Sequence, residues 1–105
     1  MLFRSVYNEL GGKSAFLVFP DFVDLPRAAE TVAGAMFFNQ GESCNAPSRV
    51  LVHESIAEEF SALVAAQAPQ YAPADPLDAG TVMGALVDDT QLKTVMGYKI
   101  GRAHV

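Results

Sequence analysis

A single cysteine, Cys44, sits in Asn39-Gln40-Gly41-Glu42-Ser43-Cys44-Asn45-Ala46-Pro47-Ser48, a stretch with no helical or strand period and rich in small, turn-forming residues. A thiol displayed on a loop between rigid elements is a candidate nucleophile, although a lone cysteine taken by itself reads first as a small buried hydrophobe. Gly41 lets the backbone approach a ligand closely, and N–H groups outside helix or sheet pairing can stabilise an oxyanion. The second candidate is Glu9, followed by Leu10-Gly11-Gly12-Lys13 on the way into an apolar run. Alone it is a surface carboxylate beside a turn; facing a thiol it is a general base. His53 reads as an ordinary residue at a strand end.

The elements that would position this pair follow from the hydrophobic pattern. Ala15 to Phe19 is a continuous apolar run closed by Pro20-Asp21, expected as a strand buried on both faces of a parallel sheet. Asp24 then caps a helix over Leu25 to Phe37, with Pro26 tolerated in the first turn. Ala28, Val32 and Met36, with Ala29, Ala33 and Phe37 on the adjacent row, give that helix a broad apolar stripe. Arg49 to His53 is the second strand. Strand, helix and strand make a βαβ unit with a right-handed crossover, which returns the residues ahead of both strands to one side of the sheet. Glu9 and Cys44 are then expected to face one pocket. Ser55-Ile56-Ala57-Glu58 reads as a capping box opening a helix from Ile56 to Gln67, with Phe60, Leu63 and Val64 on its apolar face. Ala68 to Thr81 holds Pro69, Pro73, Pro76 and Gly80 and is an extended connection; Asp88 or Asp89 caps a last helix through Leu92, Val95 and Met96, whose pattern stops at Tyr98. The fold class is α/β, with parallel strands and packed helices.

Composition narrows the partners. The chain has 105 residues, enough for one small domain or a piece of a larger one, and 12 acidic against 7 basic side chains give a formal charge of −5. No basic face is available to neutralise phosphates, so nucleic acid is not an expected partner. The longest apolar runs, Ala15–Phe19 and Val32–Phe38, fall far short of the roughly 18 to 20 residues that span a bilayer. With one cysteine and no leader pattern, the expected compartment is the reducing cytoplasm. A mean hydropathy of +0.20 is high for so short a chain, and implies partners or a larger parent.

Two of these segments carry a resemblance. Glu9-Leu10-Gly11-Gly12-Lys13-Ser14 resembles the active-site glutamate signature of the aldehyde dehydrogenase superfamily, and Phe37-Phe38-Asn39-Gln40-Gly41-Glu42-Ser43-Cys44 resembles its active-site cysteine signature. The 35 positions from Glu9 to Cys44 are within a residue of the family's spacing, and Asp75-Pro76-Leu77-Asp78 and Met83-Gly84-Ala85-Leu86-Val87 resemble segments that follow the cysteine strand. The likeness runs from Glu9 to about Tyr98 and is greatest to bacterial enzymes acting on aminoaldehydes such as gamma-glutamyl-gamma-aminobutyraldehyde. Asn8 replaces a usual apolar residue and Pro47 a commoner glycine. The resemblance implies a partial catalytic domain whose parent oxidises a small-molecule aldehyde to a carboxylic acid with NAD or NADP. In that chemistry the Cys44 thiolate adds to the aldehyde and the Cys44 N–H helps bind the oxyanion. Hydride departs to the nicotinamide to leave a thioester, and Glu9, made a better base by partial desolvation against apolar walls, activates the hydrolytic water. The dinucleotide-binding region, a second oxyanion donor and the oligomerisation strand fall outside the resembling stretch; no metal is implied. The parent is expected to be a homo-oligomer and this segment alone inactive. Two alternatives stay open: a cysteine thioester or ester hydrolase using the same pair, and a small non-catalytic binding module.

The ends differ from the rest. Met1-Leu2-Phe3-Arg4-Ser5 and Ile100-Gly101-Arg102-Ala103-His104-Val105 resemble translated sequencing adapter, with Lys99 at the junction. Residues 1–5 and 99–105 are therefore expected to be foreign to the fold, and 6–98 to be the partial dehydrogenase domain.

Overall fold

Asp24 does what its position predicts: its carboxylate accepts from the Arg27 N–H at 3.0 Å, and with Pro in the first turn the helix begins at Leu25 and ends at Phe37. The computed structural model of the chain describes residues 4–102; residues 1–3 and 103–105, part of the two end segments set apart above, lie outside it. The elements in order are β1 (Ala15–Val18), α1 (Leu25–Phe37), β2 (Arg49–Val52), α2 (Ala57–Gln67) and α3 (Asp89–Arg102), with short 3₁₀ turns at Phe38–Gly41, Glu54–Ile56 and Ala68–Tyr71.

β1 and β2 pair in parallel, in register from Ala15 opposite Arg49 to Val18 opposite Val52, with α1 as the crossover. Strand alternation sends Phe16, Val18, Val50 and Val52 toward the helices. There they join Ala28, Ala29 and Val32 of α1 and Phe60, Leu63 and Val64 of α2 in the core. Ala29, Val32 and Ala33 are fully buried, so the stripe read from the sequence is the packed face of α1. The other sheet face is not packed: Leu17 and Leu51, opposite one another in the register, are 55% and 54% exposed. The expected burial of β1 on both faces is thus corrected to one, because the described residues supply only one helical layer. Both strands also end a residue early, at Val18 and Val52.

The capping box does not form. The His53 imidazole Nδ1 lies 2.9 Å from the Ser55 hydroxyl and accepts from the Ser55 N–H at 3.3 Å, drawing Ser55 into the tight turn Glu54–Ile56. α2 therefore starts at Ala57 behind Ile56, whose side chain caps nothing. The strand-end histidine is the capping group in this corner.

After α2, the proline-bearing connection folds back. The Phe37 and Tyr71 rings lie 5.2 Å apart, and the Ala74 N–H donates to the Met83 carbonyl at 3.1 Å. Asp88 rather than Asp89 caps α3, its carboxylate accepting from the Gln91 N–H at 2.8 Å. α3 continues to Arg102, past the expected stop at Tyr98, since no proline interrupts the backbone bonds there. Leu92, Val95 and Met96 are 47%, 43% and 41% exposed, so its apolar stripe is only partly covered. Among the described residues no helix is long and apolar enough to cross a membrane.

Candidate active site

Parallel pairing sets the starts of β1 and β2 side by side, and the segments leading into them become neighbours. The Arg49 N–H donates to the Ser14 carbonyl at 3.3 Å, and its Nε–H donates to the Lys13 carbonyl at 3.1 Å. One residue further back, Gly12 rests on the Cys44 carbonyl so closely that a Cβ there would overlap it. The Glu9–Ser14 segment and the Cys44 loop thus meet at backbone level.

The loop is a chain reversal. Asn39 (φ 48°, ψ 51°), Gln40 (φ 58°, ψ 18°) and Gly41 (φ 78°) are successively left-handed, a conformation that crowds a Cβ against the following carbonyl and that glycine alone enters freely. Three contacts hold it. The Gln40 amide donates from Nε2 to the Ala85 carbonyl at 3.1 Å; the Glu42 N–H donates to the Asn39 carbonyl at 3.0 Å; the Ala46 N–H donates to the Ser43 carbonyl at 3.0 Å. Ala46 and Pro47 are buried and anchor the exit of the loop, while Cys44 itself is exposed as a free thiol. Among the described residues the Cys44 N–H has no hydrogen-bond partner, so it is available to an oxygen bearing negative charge.

Glu9 is exposed as well. The apolar walls expected around it do not cover it. A cavity of about 390 Å³ lies instead along β1, lined by Phe16, Phe19, Phe22, Arg27 and Thr31 among others, and neither Glu9 nor Cys44 borders it.

Two contributors escaped the sequence reading. Gln40 carries no chemical signal in a list of candidate nucleophiles and bases, and only its place beside Asn39 and Gly41, residues that favour left-handed turns, hinted at a fixed conformation. Arg49 reads as a strand residue, yet its guanidinium ties the Glu9–Ser14 segment to the start of β2.

The helix N-termini among the described residues do not suit a dinucleotide's phosphates. Such groups sit at helix N-termini with free N–H donors. Asp24 accepts from one such N–H of α1 and Asp88 from one of α3, and Glu58 and Glu59 stand in the first turn of α2, so each of these N-termini carries a carboxylate. Among the described residues no three His, Cys, Asp or Glu side chains gather as a metal site.

The profile of the aldehyde dehydrogenase family matches residues 2–103. The NADP/NAD-dependent aldehyde dehydrogenase PuuC of Escherichia coli is 45% identical over 95 residues, covering 90% of this chain and 19% of that protein. The crystal structure of gamma-glutamyl-gamma-aminobutyraldehyde dehydrogenase from Burkholderia cenocepacia is 52% identical and superposes with a TM-score of 0.85, over 90% of this chain and 20% of its own. The P. syringae indole-3-acetaldehyde dehydrogenase AldA, solved with NAD+, is 46% identical with a TM-score of 0.80, over 84% of this chain and 18% of its own. The chain spans about one fifth of the relatives it matches. With the profile matching nearly end to end and the parallel α/β arrangement shared, the chain belongs to the aldehyde dehydrogenase family.

Proposed function

We propose that the protein to which this segment belongs oxidises an aldehyde, of the aminoaldehyde class, to the carboxylic acid with NAD or NADP, Cys44 acting as nucleophile and Glu9 as the base that hydrolyses the thioester. The observation that carries the reading is the meeting of the two signature segments at Gly12 and the Cys44 carbonyl, across the parallel register of β1 and β2. The aminoaldehyde class is supported by the 52% identical relative.

The chemistry of the chain's own groups is as follows. The Cys44 thiolate forms a bond from Sγ to the aldehyde carbon, and the carbonyl π pair moves to oxygen, where the Cys44 N–H donates to it. Oxidation of that adduct needs a two-electron acceptor, which the nicotinamide supplies in the relatives; the carboxylate-capped helices here do not fit its phosphates. With a thioester on Cys44, the Glu9 carboxylate takes a proton from water, the resulting oxygen attacks the acyl carbon, and the C–S bond breaks to return the thiolate and release the acid. The same reading includes a cytoplasmic, homo-oligomeric parent and residues 6–98 as the native segment.

The test is a full-length relative carrying residues 6–98 of this chain in place of its own matching segment. Aldehyde-dependent NAD(P)H formation that disappears in Cys44→Ser is the expected result. Ester cleavage without any cofactor reduction would favour a cysteine hydrolase instead, which needs the same thiol and carboxylate and no cofactor.

A further inference from the structure

The Cys44 loop is left-handed at three successive residues, yet two of them, Asn39 and Gln40, carry a Cβ that this conformation crowds. Something outside the loop must hold it, and one long-range contact reaches in: Gln40 Nε2 donates to the Ala85 carbonyl at 3.1 Å, joining residues 45 positions apart. The receiving strip is itself fixed, because the Ala74 N–H donates to the neighbouring Met83 carbonyl at 3.1 Å. Gly84 borders the approach, a Cβ there coming into ordinary contact with Gln40 Nε2 at 3.7 Å. Cys44 follows three residues beyond Gly41, so the direction in which the chain leaves this reversal sets where the thiol and its N–H stand. We infer that Gln40 is a positioning residue: its side-chain amide, anchored on the Ala85 carbonyl, locks the left-handed turn that presents Cys44. The inference rests on the proposed role of Cys44 and adds to it a donor that touches no reacting atom.

The experiment uses the full-length enzyme carrying residues 6–98, with kcat and aldehyde KM normalised to the Cys44 thiols titrated by iodoacetamide and Cys44→Ser as the blank. Gln40→Glu keeps length but puts an acceptor against the Ala85 carbonyl, Gln40→Ala removes the tether without charge, and Gln40→Lys restores a donor of similar reach. The expected result is a fall in kcat of at least tenfold in the Glu and Ala variants, a KM changed less than threefold, and at least half of the parental kcat in the Lys variant. Parental kcat per thiol in both Glu and Ala variants overturns the inference, as does an equal loss in the Lys variant or failure of all three to fold, either of which makes Gln40 a residue of folding alone. Retention of aldehyde oxidation in Cys44→Ser sinks the functional reading itself, whatever the Gln40 variants do.

Discussion

Glu9 and Cys44 divide the proposed reaction between a carbon–sulfur bond-forming half and a hydrolytic half, and single substitutions should separate them. Glu9→Gln in the full-length enzyme removes the base of the second half only. NAD(P)H should then appear as a burst of about one equivalent per Cys44, followed by turnover lowered roughly 10²- to 10⁴-fold, the usual worth of general base catalysis. A Glu9→Gln enzyme with unchanged steady turnover and no burst would remove Glu9 from the mechanism. The two adjacent glycines give a second residue-scale test. Gly11 is left-handed at φ 68° with open space around it, so Gly11→Ala carries only the conformational penalty, about 1 to 2 kcal/mol. A Cβ on Gly12 meets the Cys44 carbonyl, a backbone group that cannot swing away. Gly12→Ala should therefore cost about 1 to 3 kcal/mol and also displace the thiol. Urea midpoints with iodoacetamide rates on each variant check this, and an unaltered Cys44 rate in Gly12→Ala contradicts it. Residue type made Glu9 and Cys44 legible in the sequence. Gly12 was legible only as part of a turn, because its contact lies 32 positions away and no local rule reports it.

At the scale of elements, legibility followed how local the determining forces are. Both ends of α1 were readable because Asp24, Pro26 and the four-residue apolar spacing act within one turn of each other. The start of α2 was misread since two groups compete for Ser55, and the His53 ring wins it. The second face of β1 was misread because an apolar run states that a face needs cover, not whether the same segment provides it. Phe60 is the largest fully buried side chain, at 2% exposure, and lies where α2 meets α1 and the sheet. Phe60→Ala should remove about 3 to 5 kcal/mol, enough to undo the helix-on-sheet packing altogether in a small fold. Asp24→Ala, which exposes only one N–H at the start of α1, should cost about 1 kcal/mol and leave the packing intact. Denaturant titration of the two variants orders these effects, and a larger loss for Asp24→Ala than for Phe60→Ala would mean that α1 is held by its cap more than by its buried face.

The whole molecule is open in a way that its elements taken singly are not. Its accessible surface is 8668 Å², where a compact monomer of its 11.2 kDa mass would show about 5,700 Å². The Cα radius of gyration is 17.0 Å, against about 13 Å for a compact domain of this length. The excess is apolar and contiguous in part: Leu17, Leu51 and Phe19 lie on or beside the uncovered sheet, and both strand edges are unpaired among the described residues. Two strands with one helical layer seldom hold a unique packed state alone, and open parallel edges invite association. The chain by itself is therefore expected to bind the dye ANS, to aggregate at micromolar concentration, and to lose structure on heating without a sharp transition. It should also oxidise no aldehyde, since each helix N-terminus carries a carboxylate that repels a dinucleotide's phosphates and Glu9 and Cys44 both stand exposed. Calorimetry together with NAD and NADP titration of the purified chain decides the matter. A sharp cooperative transition of a monomer, or saturable cofactor binding with turnover above buffer, would mean that the exposed sheet face is stable in water and that this segment carries function unaided.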